Sequence, residues 1–479
     1  MVKESEFDVV IIGGGPAGLT AAVTLRKYEL SVALVDERRT LGGQIYKRVG
    51  TGFDIKDPSF LGNDFLSGKK LIESFESCGA KSFLESTVLT VEDGKVIIAN
   101  IADGTSALKF KKLIVATGAY DRPVVFPGWT LPGVITAGAA QTFVKTQRYS
   151  PGNKMVFAGS GPLALAFPAQ MAQLGAPVQM VLEAAKLPSP IKIIQLLLAI
   201  PGNCNLIRDA AKYRMALLKS RIPVKYRTIV ISAEGKGRVE RVTFAKVDAN
   251  WNPIKGSEKT VTADTLIIGY GFLPSMEILR LLDCKLNFDD TRGGFTVVTD
   301  NFGATSAANV FAVGDGTGIS GSYVAKAQGE LAGLKIAFEF NKLSENLFSN
   351  EIKSGLKELH RRKKFQSAIN NMFELGSGIY GLADEETTIC RCESVKLKDL
   401  LPVIDSAADV SVAKAYSRAG MGLCQGRNCQ RQIAALIAKK HQMNLGDVPI
   451  ATPRFPAKPV EIGLISDDGV TEEKYFFND

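Results

Sequence analysis

A glycine-rich turn near the N-terminus constrains the fold more than any other feature of the sequence. Residues 7–12, FDVVII, form an apolar, β-branched run that is typical of a buried strand. The sequence GGGPAG at 13–18 follows at once, and the next residues, LTAAVTLRKY, predict a helix. The sequence SVALVD at 31–36 then predicts a second strand that ends on an acid. This order is typical of a βαβ unit that binds a dinucleotide.

The glycines and the acid of this unit each have a physical role. Gly13 permits a tight turn, Gly15 lets the backbone approach a pyrophosphate, and Gly18 lets the helix pack closely on the strand. Free N–H groups at the start of the helix attract phosphate. Asp36 can accept hydrogen bonds from a ribose, and an acid here disfavours a 2′-phosphate. The residues predicted to bind this nucleotide are Gly13, Gly15, Pro16, Ala17, Gly18, Asp36 and Glu37.

Three later fragments resemble motifs of two-dinucleotide-binding flavoproteins such as thioredoxin reductase. They are LGGQ at 41–44, LIVATGA at 113–119 and NVFAVGDG at 309–316. In those proteins the first fragment lies against the flavin, and the Asp of the last one hydrogen-bonds the ribityl chain. The resemblance, with the fragments in the same order, implies FAD as the cofactor. The further residues that it places at the FAD are Gly43, Gln44, Thr117, Gly118, Gly314 and Asp315.

A second βαβ unit follows at 154–184, where the predicted strands again flank a glycine-rich turn. Gly159 and Gly161 stand at the first two glycine positions, whereas Ala164 stands at the third, a known variant of the motif. The second strand ends on Glu183, which suits a ribose rather than a 2′-phosphate. The residues leave three possibilities open for this lobe, namely NAD, another adenine nucleotide, or no ligand.

The polar residues give no evident catalytic set. No cysteine pair follows the first glycine motif or lies in the second lobe, which excludes a disulfide reductase. His360 and His441 are the only histidines, and both stand in polar, Lys-rich surroundings. No Ser–His–Asp set and no paired carboxylates indicate an acid–base site, so the catalytic residues stay unassigned.

Charge and hydropathy describe an ordinary globular chain. The net charge is +9, with 58 basic and 49 acidic residues, and the basic residues are scattered. This balance suits anionic cofactors or an acidic partner better than nucleic acid. The longest apolar run, IKIIQLLLAI at 191–200, is too short to span a bilayer, and the N-terminus has no signal-peptide pattern. We therefore expect a cytoplasmic protein without a transmembrane segment, in which cysteines are reduced.

Four of the seven cysteines fall in two short stretches near the C-terminus, CRCESV at 390–395 and GLCQGRNC at 422–429. Cys390 and Cys392 would point to the same face if their segment were extended. Cys424 and Cys429 bracket a glycine-containing turn before a predicted helix, whose N–H groups would stabilise an anionic cluster. Four thiolates suit a [2Fe–2S] cluster or Zn²⁺, and the C-x-C spacing favours iron–sulfur.

The cysteine pattern has a specific resemblance. C-x-C-E followed by G-x-C-Q-G-R-x-C resembles the [2Fe–2S] domain related to bacterioferritin-associated ferredoxin. Behind a two-dinucleotide fold, it is similar to the A (α) subunits of two-component flavoprotein dehydrogenases. These include opine oxidases, D-hydroxyproline and L-proline dehydrogenases, and hydrogen cyanide synthase. The stretch at 116–141 and the stretch at 419–429 carry the most specific part of the resemblance, and the Pro-rich tail at 451–463 also matches. It implies [2Fe–2S] ligation by Cys390, Cys392, Cys424 and Cys429.

The resemblance also implies a division of labour within a heteromeric enzyme. A B (β) subunit of the D-amino-acid-oxidase type would carry its own flavin and the substrate site. That subunit would remove a hydride from a C–H next to a secondary amine, giving an imine that water hydrolyses. Electrons would then pass through the cluster to a downstream acceptor, with an interface FMN as a possible further cofactor.

Several functions are compatible with this organisation. An opine of the octopine or nopaline type is the favoured substrate, and hydroxyproline or proline is the alternative. The chain could also be a self-contained NADH-dependent flavin reductase, with the cluster as its electron outlet. A non-catalytic iron–sulfur binding module is a further hypothesis, from a different functional class.

The expected fold is α/β, a glutathione- and thioredoxin-reductase-like flavoprotein with two dinucleotide-binding domains and a small helical C-terminal [2Fe–2S] domain. Because the Pro-rich tail contains few helix-forming signals, we expect it to lie extended across another subunit. The predicted divisions are an FAD domain at 1–123 and 246–340, a NAD-like Rossmann domain at 124–245, a helical connector at 341–385, a cluster domain at 386–447 and a tail at 448–479.

Overall fold

The computed structural model describes residues 3–47 and 63–465. The helices in these residues are α1 Pro16–Lys27, α2 Asn63–Ser77, α3 Ala137–Gln141, α4 Leu163–Gln173, α5 Pro190–Ala199, α6 Cys204–Lys219, α7 Glu277–Leu281, α8 Gly321–Glu339, α9 Glu345–Met372, α10 Leu397–Ile404, α11 Val410–Ser417 and α12 Gln430–His441. The strands are β1 Lys3–Ile12, β2 Val32–Val35, β3 Lys81–Phe83, β4 Ser86–Glu92, β5 Lys95–Asn100, β6 Gly104–Val115, β7 Ala119–Asp121, β8 Val134–Thr136, β9 Met155–Gly159, β10 Val178–Glu183, β11 Val224–Tyr226, β12 Thr228–Glu234, β13 Arg241–Lys246, β14 Lys259–Thr262, β15 Thr265–Gly269, β16 Phe272–Pro274, β17 Leu286–Asp289, β18 Gly294–Val297, β19 Val310–Ala312, β20 Thr388–Cys390 and β21 Val395–Lys396.

The first sheet forms around the predicted N-terminal βαβ unit. Its strand order is β3-β2-β1-β6-β5-β4, with β19 beside β6. The strands β1, β2, β3, β6 and β19 run parallel, whereas β4 and β5 form an antiparallel hairpin against β6. The residues of β1 from Val9 to Ile12 are fully or almost fully buried, as a central parallel strand requires. The sheet therefore presents the carboxyl ends of β1, β2 and β19 at one edge.

The second lobe repeats this architecture. Its parallel sheet has the order β11-β10-β9-β15-β8, and a three-stranded antiparallel sheet, β12-β13-β14, lies beside it. The strand β15 at 265–269 pairs with both β9 and β8, so this sheet extends past residue 245, where the sequence analysis ended the lobe. In the sequence, β15 comes only after the β13–β14 hairpin. Because these strands of another sheet separate β15 from β9 and β10, the sequence pattern did not show that β15 belongs to the parallel sheet.

The C-terminal region is helical, as predicted. The connector is dominated by α9, and α10, α11 and α12 form the cluster domain with the short hairpin of β20 and β21. The apolar core of the cluster domain is continuous with the core of the second lobe, since Ile433 and Leu400 pack in the same group of buried apolar side chains as Trp129. The indole Nε1 of Trp129 donates to the carbonyl of Thr388 at 2.6 Å. The cluster domain is therefore fixed to the second lobe rather than tethered to it.

The described part of the tail, 448–465, lies on the flavin domain of its own chain. The expectation that the tail lies extended across another subunit stays a prediction. The N–H of Ala457 donates to the carbonyl of Leu89 at 2.7 Å, and the ammonium of Lys458 pairs with Glu37. The guanidinium of Arg280 donates to the carbonyl of Ile450 at 3.1 Å. These partners lie more than 150 residues away in sequence, so composition alone gave no sign of them.

The described residues contain no helix that is both long and apolar enough to cross a bilayer.

Small residues let α8 pack against α1 at backbone distance. A Cβ atom at Gly329 would lie 2.2 Å from the carbonyl oxygen of Ala17, and one at Gly333 would lie 2.9 Å from side-chain carbons of Thr24. Ala21 of α1 and Ala332 of α8 are completely buried. This contact holds α8, which follows the NVFAVGDG stretch, against the helix of the first glycine turn.

We predict that Gly329→Ala lowers the free energy of unfolding by about 2–3 kcal/mol, because the added methyl group forces two packed backbones apart. Urea unfolding of the apoprotein measures this loss. Gly381→Ala is the matched control, since a Cβ atom there meets nothing within 4 Å and the backbone has no positive φ. Equal unfolding midpoints for the two variants would contradict the assigned packing.

Candidate flavin and thiol sites

The first glycine turn is built so that its outer side stays open. Gly13 has a φ of +112°, and a Cβ atom there would lie 2.3 Å from the carbonyl oxygen of Ala116. A Cβ atom at Gly18 would lie 2.0 Å from the carbonyl oxygen of Gly13, so only glycine fits both positions. A Cβ atom at Gly15, by contrast, would meet only the Cα of Gly43, at 3.9 Å. The turn thus packs tightly inward and leaves space on its outer side.

The start of α1 is also open. Pro16 occupies the first turn, and Gly15 at the N-cap provides no side chain to bond the free N–H groups. An uncapped helix start is a ready site for phosphate. Asp36 is buried after β2, where one oxygen accepts the N–H of Gly14 at 2.6 Å and the other accepts the N–H of Arg38 at 2.8 Å. Burial raises the pKa of Asp36. Its carboxylate therefore also shapes the turn.

The residues predicted from the three later fragments converge on this turn. A Cβ atom at Gly43 would lie 2.9 Å from the Cα of Gly15, and one at Gly314 would lie 3.0 Å from the Cβ of Ala17. The hydroxyl of Thr117 donates to the carbonyl of Ser275 at 2.7 Å. A Cβ atom at Gly118 would meet nothing within 4 Å, so this position also faces open space.

Asp315 occupies the start of the segment that leads into α8. One of its carboxylate oxygens accepts the N–H groups of Ser320 at 2.8 Å and Gly321 at 2.9 Å. Burial raises the pKa of Asp315. Gln44 is exposed, and the carboxylate of Glu37 forms an ion pair with the ammonium of Lys458 in the tail. The structure thus places Glu37 and Gln44 at the rim of the cradle and the other predicted residues within it.

Lys47 is a buried cation that the sequence analysis overlooked. Its ammonium donates to the carbonyl of Gly138 at 2.8 Å and to the hydroxyl of Thr142 at 2.5 Å. Burial lowers the pKa of Lys47 to about 8. Asp121 accepts the hydroxyl of Thr136 at 2.7 Å, and burial raises its pKa. Both groups lie where the flavin domain joins the second lobe, and burial shifts the pKa of each toward its neutral form. The only sequence signal was the position of Lys47, four residues after Gly43.

The second glycine turn resembles the first, because it too combines a glycine of positive φ with a buried acid that accepts backbone N–H groups. Gly161 has a φ of +98°, and Ala164 is buried in α4. Glu183 ends β10, where its two oxygens accept the N–H of Gly161 at 3.2 Å and the N–H of Ala185 at 2.8 Å. Burial raises the pKa of Glu183 to about 7. A Cβ atom at Gly159 would lie 2.2 Å from the carbonyl oxygen of Gly269, so this position needs glycine for strand packing.

An aromatic ring lies over the second turn. A Cβ atom at Gly161 would be 4.0 Å from Cγ of Phe373, which is ordinary van der Waals contact. Phe373 follows the end of α9, and the ammonium of Lys192 on α5 holds this segment through Asn371 and Glu374. At Gly15, the corresponding position in the first turn, a Cβ atom would meet only the small residue Gly43. The two turns are therefore about equally open at this position, but Phe373 stands beside the second turn where Gly43 stands beside the first.

The four clustered cysteines come together around a hairpin and a turn. Cys390 ends β20 and is buried, whereas Cys392 lies in the following turn and is exposed. The expectation that both point to one face of an extended segment is wrong, because the chain turns directly after Cys390. Cys429 is the N-cap of α12 and is buried, and Cys424 begins the turn before it.

The thiols are arranged as two interacting pairs. A hydrogen bond from the thiol of Cys429 lowers the pKa of Cys390 to about 5, and the same contact raises the pKa of Cys429. Burial raises the pKa of Cys392, whose thiol also interacts with that of Cys424. The N–H of Gly420 donates to Sγ of Cys390 at 3.4 Å. One pair thus provides a ready thiolate that a backbone N–H stabilises.

Small residues bring the second cysteine loop close to the first. A Cβ atom at Gly422 would lie 2.4 Å from the Cβ of Cys392, and one at Gly420 would lie 3.8 Å from Sγ of Cys429. No group of three or more His, Cys, Asp or Glu side chains within 3–47 and 63–465 has the geometry to hold a metal ion. The donor set of four thiols nevertheless has the composition that a [2Fe–2S] cluster requires, two thiolates for each iron.

A cavity of about 670 Å³ adjoins the cluster loop on the side of the flavin domain. Gly420 and Arg427 line it from the loop, Tyr120 and Glu277 from the flavin domain, and Pro453 from the tail. The guanidinium of Arg427 pairs with Glu277 at 2.9 Å, and its buried Nη2 has no hydrogen-bond partner among the described residues. The cavity thus lies where the cluster loop, the flavin domain and the tail meet.

Comparison with known proteins decides the family. Residues 7–329 match the model of the pyridine nucleotide-disulphide oxidoreductases, and residues 387–468 match that of the sarcosine oxidase A3 domain. The chain belongs to the pyridine nucleotide-disulphide oxidoreductase family. It is accordingly a flavin-dependent oxidoreductase, and the predicted two-dinucleotide fold is confirmed.

The chain is similar along almost its whole length to several named enzymes and enzyme subunits. The chain is 30% identical to the hydrogen cyanide synthase component HcnB of Pseudomonas aeruginosa, covering 96% of this chain and 98% of HcnB. It is 29% identical to the A subunit of opine oxidase from Agrobacterium tumefaciens, covering 96% and 91%. The structure of L-proline dehydrogenase from P. horikoshii superposes with a TM-score of 0.69 at 23% identity, covering 97% of this chain and 80% of that one. The resemblance to the A subunits is thereby confirmed.

We predict that Glu183 makes the protein less stable as the pH rises from about 4.5 to about 7. In this range the folded chain keeps the proton on the buried carboxyl, whereas the unfolded chain has released it, so rising pH favours unfolding. The loss amounts to at most about 3 kcal/mol. Glu183→Gln removes this pH dependence, because Gln does not titrate, although the variant also loses one hydrogen-bond acceptor at every pH.

The measurement is the free energy of unfolding of both proteins across this pH range. The stability of the natural protein relative to Glu183→Gln should fall with increasing pH and become constant above about pH 7. Parallel curves would show that the buried carboxyl ionises freely in the folded chain.

Proposed function

We propose that this chain is the electron-transferring FAD and [2Fe–2S] subunit of a heteromeric dehydrogenase that oxidises the C–N bond of an opine of the octopine or nopaline type. The α subunit of a D-hydroxyproline or L-proline dehydrogenase is the alternative. The observation that carries the proposal is the presence, in one chain, of an open nucleotide cradle and of four paired thiols whose loop is joined to the flavin domain by the ion pair of Arg427 with Glu277. The names of the relatives support the substrate class.

For the FAD, the proposed site is the first cradle. The pyrophosphate would lie at the open side of Gly15 and the uncapped start of α1, where N–H groups point outward. Gly118 leaves room for the flavin, Gly43 lets its loop approach the turn at Gly15, and Asp315 would accept a hydroxyl of the ribityl chain. Asp36 holds the turn and would accept a ribose hydroxyl with its remaining lone pairs.

For the cluster, the proposed ligands are Cys390, Cys392, Cys424 and Cys429. When bound, FAD supplies two-electron chemistry and the cluster supplies one-electron transfer. The chain's own contribution is to fix the distance between them. The ion pair of Arg427 with Glu277 joins the cluster loop to the flavin domain, and the 2.6 Å hydrogen bond of Trp129 joins the hairpin to the second lobe.

For the possible interface FMN, the cavity beside the cluster loop is the proposed site. Its lining includes Arg427, Arg431 and Lys414, whose positive charges complement a phosphate. Arg427 has a free Nη2 among the described residues, as a residue that awaits an anion would. A second adenine nucleotide would instead need the turn at Gly161, beside which Phe373 stands.

We predict that Cys424→Ser abolishes iron and sulfide binding while leaving FAD bound, because the thiols and the first cradle lie in separate domains. Iron and acid-labile sulfide analysis, with flavin content and visible absorption, measures both effects. Cys204→Ser is the matched control, since Cys204 is exposed on α6, far in sequence from the four thiols. Retention of two irons and two sulfides by Cys424→Ser would reject this ligand assignment.

We predict that NADH does not reduce the bound flavin at a catalytically useful rate. Ala164 departs from the ideal glycine motif, and the aromatic side chain of Phe373 stands beside Gly161, where the first turn has the small residue Gly43. Anaerobic mixing with NADH, followed at the flavin absorbance, measures the rate. Rapid bleaching would instead favour the self-contained NADH-dependent flavin reductase.

We predict that the isolated chain binds FAD but does not oxidise octopine, nopaline, hydroxyproline or proline. No assigned group of the chain forms an acid–base pair for amine oxidation, so the substrate site is expected in a B subunit. Dye reduction by the purified chain is compared with that by the reconstituted pair, which should turn over. Substantial substrate-dependent reduction by the single chain would contradict the two-component proposal.

A further inference from the structure

The helices α5 and α6 of the second lobe expose an unusual number of large aliphatic side chains. On α5, Ile191 is 69% exposed, Ile194 is 55% exposed and Leu198 is 66% exposed. On α6, Met215 and Leu218 are more than half exposed. Single exposed apolar residues are common on protein surfaces, but several of them on two consecutive helices indicate an interaction site.

These exposed side chains do not lie on the faces of α5 and α6 that pack against the rest of the protein. The inner side of α5 faces α9, where Leu196 and Ala199 pack with Phe365 and Ala368. The inner side of α6 faces the core of the second lobe, where Leu217 is fully buried. Both helices therefore have a buried apolar side and, in addition, an apolar outer surface. A helix that only covers a globular core normally presents a polar outer side.

The charge of this region is strongly biased. Residues 186–221 contain seven Lys and Arg and one acid, Asp209, which gives a net charge of +6. The whole chain carries +9. The cations of α6 alternate with its exposed apolar residues, as Lys212 and Lys219 flank Met215 and Leu218. We call residues 186–221 the basic helical surface.

We propose that the basic helical surface binds peripherally to an anionic lipid membrane. The aliphatic side chains would enter the headgroup and acyl boundary, and the Lys and Arg side chains would contact anionic headgroups. Apolar insertion combined with a polybasic segment gives stable attachment where either alone is weak. Neither helix is long enough to span a bilayer, since α5 has 10 residues and α6 has 16. The helices would therefore lie in the plane of the membrane surface.

The composition favours lipid over a protein partner. The centres of protein interfaces are enriched in aromatic residues and depleted in Lys. Residues 186–221 contain one aromatic residue, Tyr213, which is half-buried, and several exposed Lys and Arg. Ile and Leu next to Lys, with Asp209 as the one acid of residues 186–221, match the chemistry of an anionic lipid headgroup region. The proposal does not depend on the FAD or cluster assignments, so its test is independent of theirs.

Vesicle co-sedimentation tests the proposal with the purified full chain and with the complex in which it is isolated. One set of vesicles is pure phosphatidylcholine, and the other contains about one third phosphatidylglycerol. The two test variants are Ile194→Gln/Leu198→Gln, which removes apolar area, and Lys212→Glu/Lys219→Glu, which reverses charge. The matched control is Ile101→Gln/Lys255→Glu, which changes an exposed aliphatic residue and an exposed cation outside this surface.

The natural protein and the control should pellet with the phosphatidylglycerol vesicles and stay in solution with phosphatidylcholine alone. Each test variant should bind the phosphatidylglycerol vesicles at least about tenfold more weakly than the natural protein does. Added salt should release the natural protein from these vesicles. Unchanged flavin content and circular dichroism verify that the variants are folded. Failure of the natural protein to bind the anionic vesicles, or binding by both test variants equal to the control, would overturn the proposal. A drop in the molar mass of the complex caused by the test variants would also overturn it, since a protein would then cover the surface.

Discussion

Close contact between backbones at the first glycine turn determines the arrangement of the flavin domain. The turn lies against Ala116, which follows β6, and against the loop at Gly43. Ala17 at the start of α1 in turn meets Gly314 and, on α8, Gly329. None of these approaches leaves room for a larger residue on the inner side. The same packing exposes the outer side of Gly15 and the start of α1, so the contacts that fold the domain also create the open cradle.

The second lobe has the same backbone design but another environment. Its turn carries a buried acid in the equivalent place, yet the connector places Phe373 over Gly161. The cluster domain packs on this lobe through Trp129 and on the flavin domain through Arg427. The second lobe thus supports the domain that carries the four clustered cysteines, whether or not its own turn binds a nucleotide.

The sequence predicted those parts of the molecule that depend on local patterns. The first turn, the later fragments around Gly43 and Gly314, and the helices of the cluster domain follow from glycines, apolar runs and spacing. The parts it could not predict depend on contacts between distant segments. The tail folds back onto Leu89 and Glu37, and β15 enters the second sheet after a long excursion. The C-x-C pair was misjudged because a turn begins at Arg391, directly after the strand. The ring over Gly161 and the buried ammonium of Lys47 likewise arise only when separate segments meet.

The most direct test of the central claim is whether electrons from the substrate reach the four-thiol centre. The reconstituted pair is mixed anaerobically with its opine or imino acid, frozen at successive times and examined by electron paramagnetic resonance. The account predicts that the signal of a reduced [2Fe–2S] centre develops within the turnover time and is absent when the B subunit is omitted. Full dye reduction at the normal rate without any such signal would contradict the proposal that these cysteines hold the electron relay.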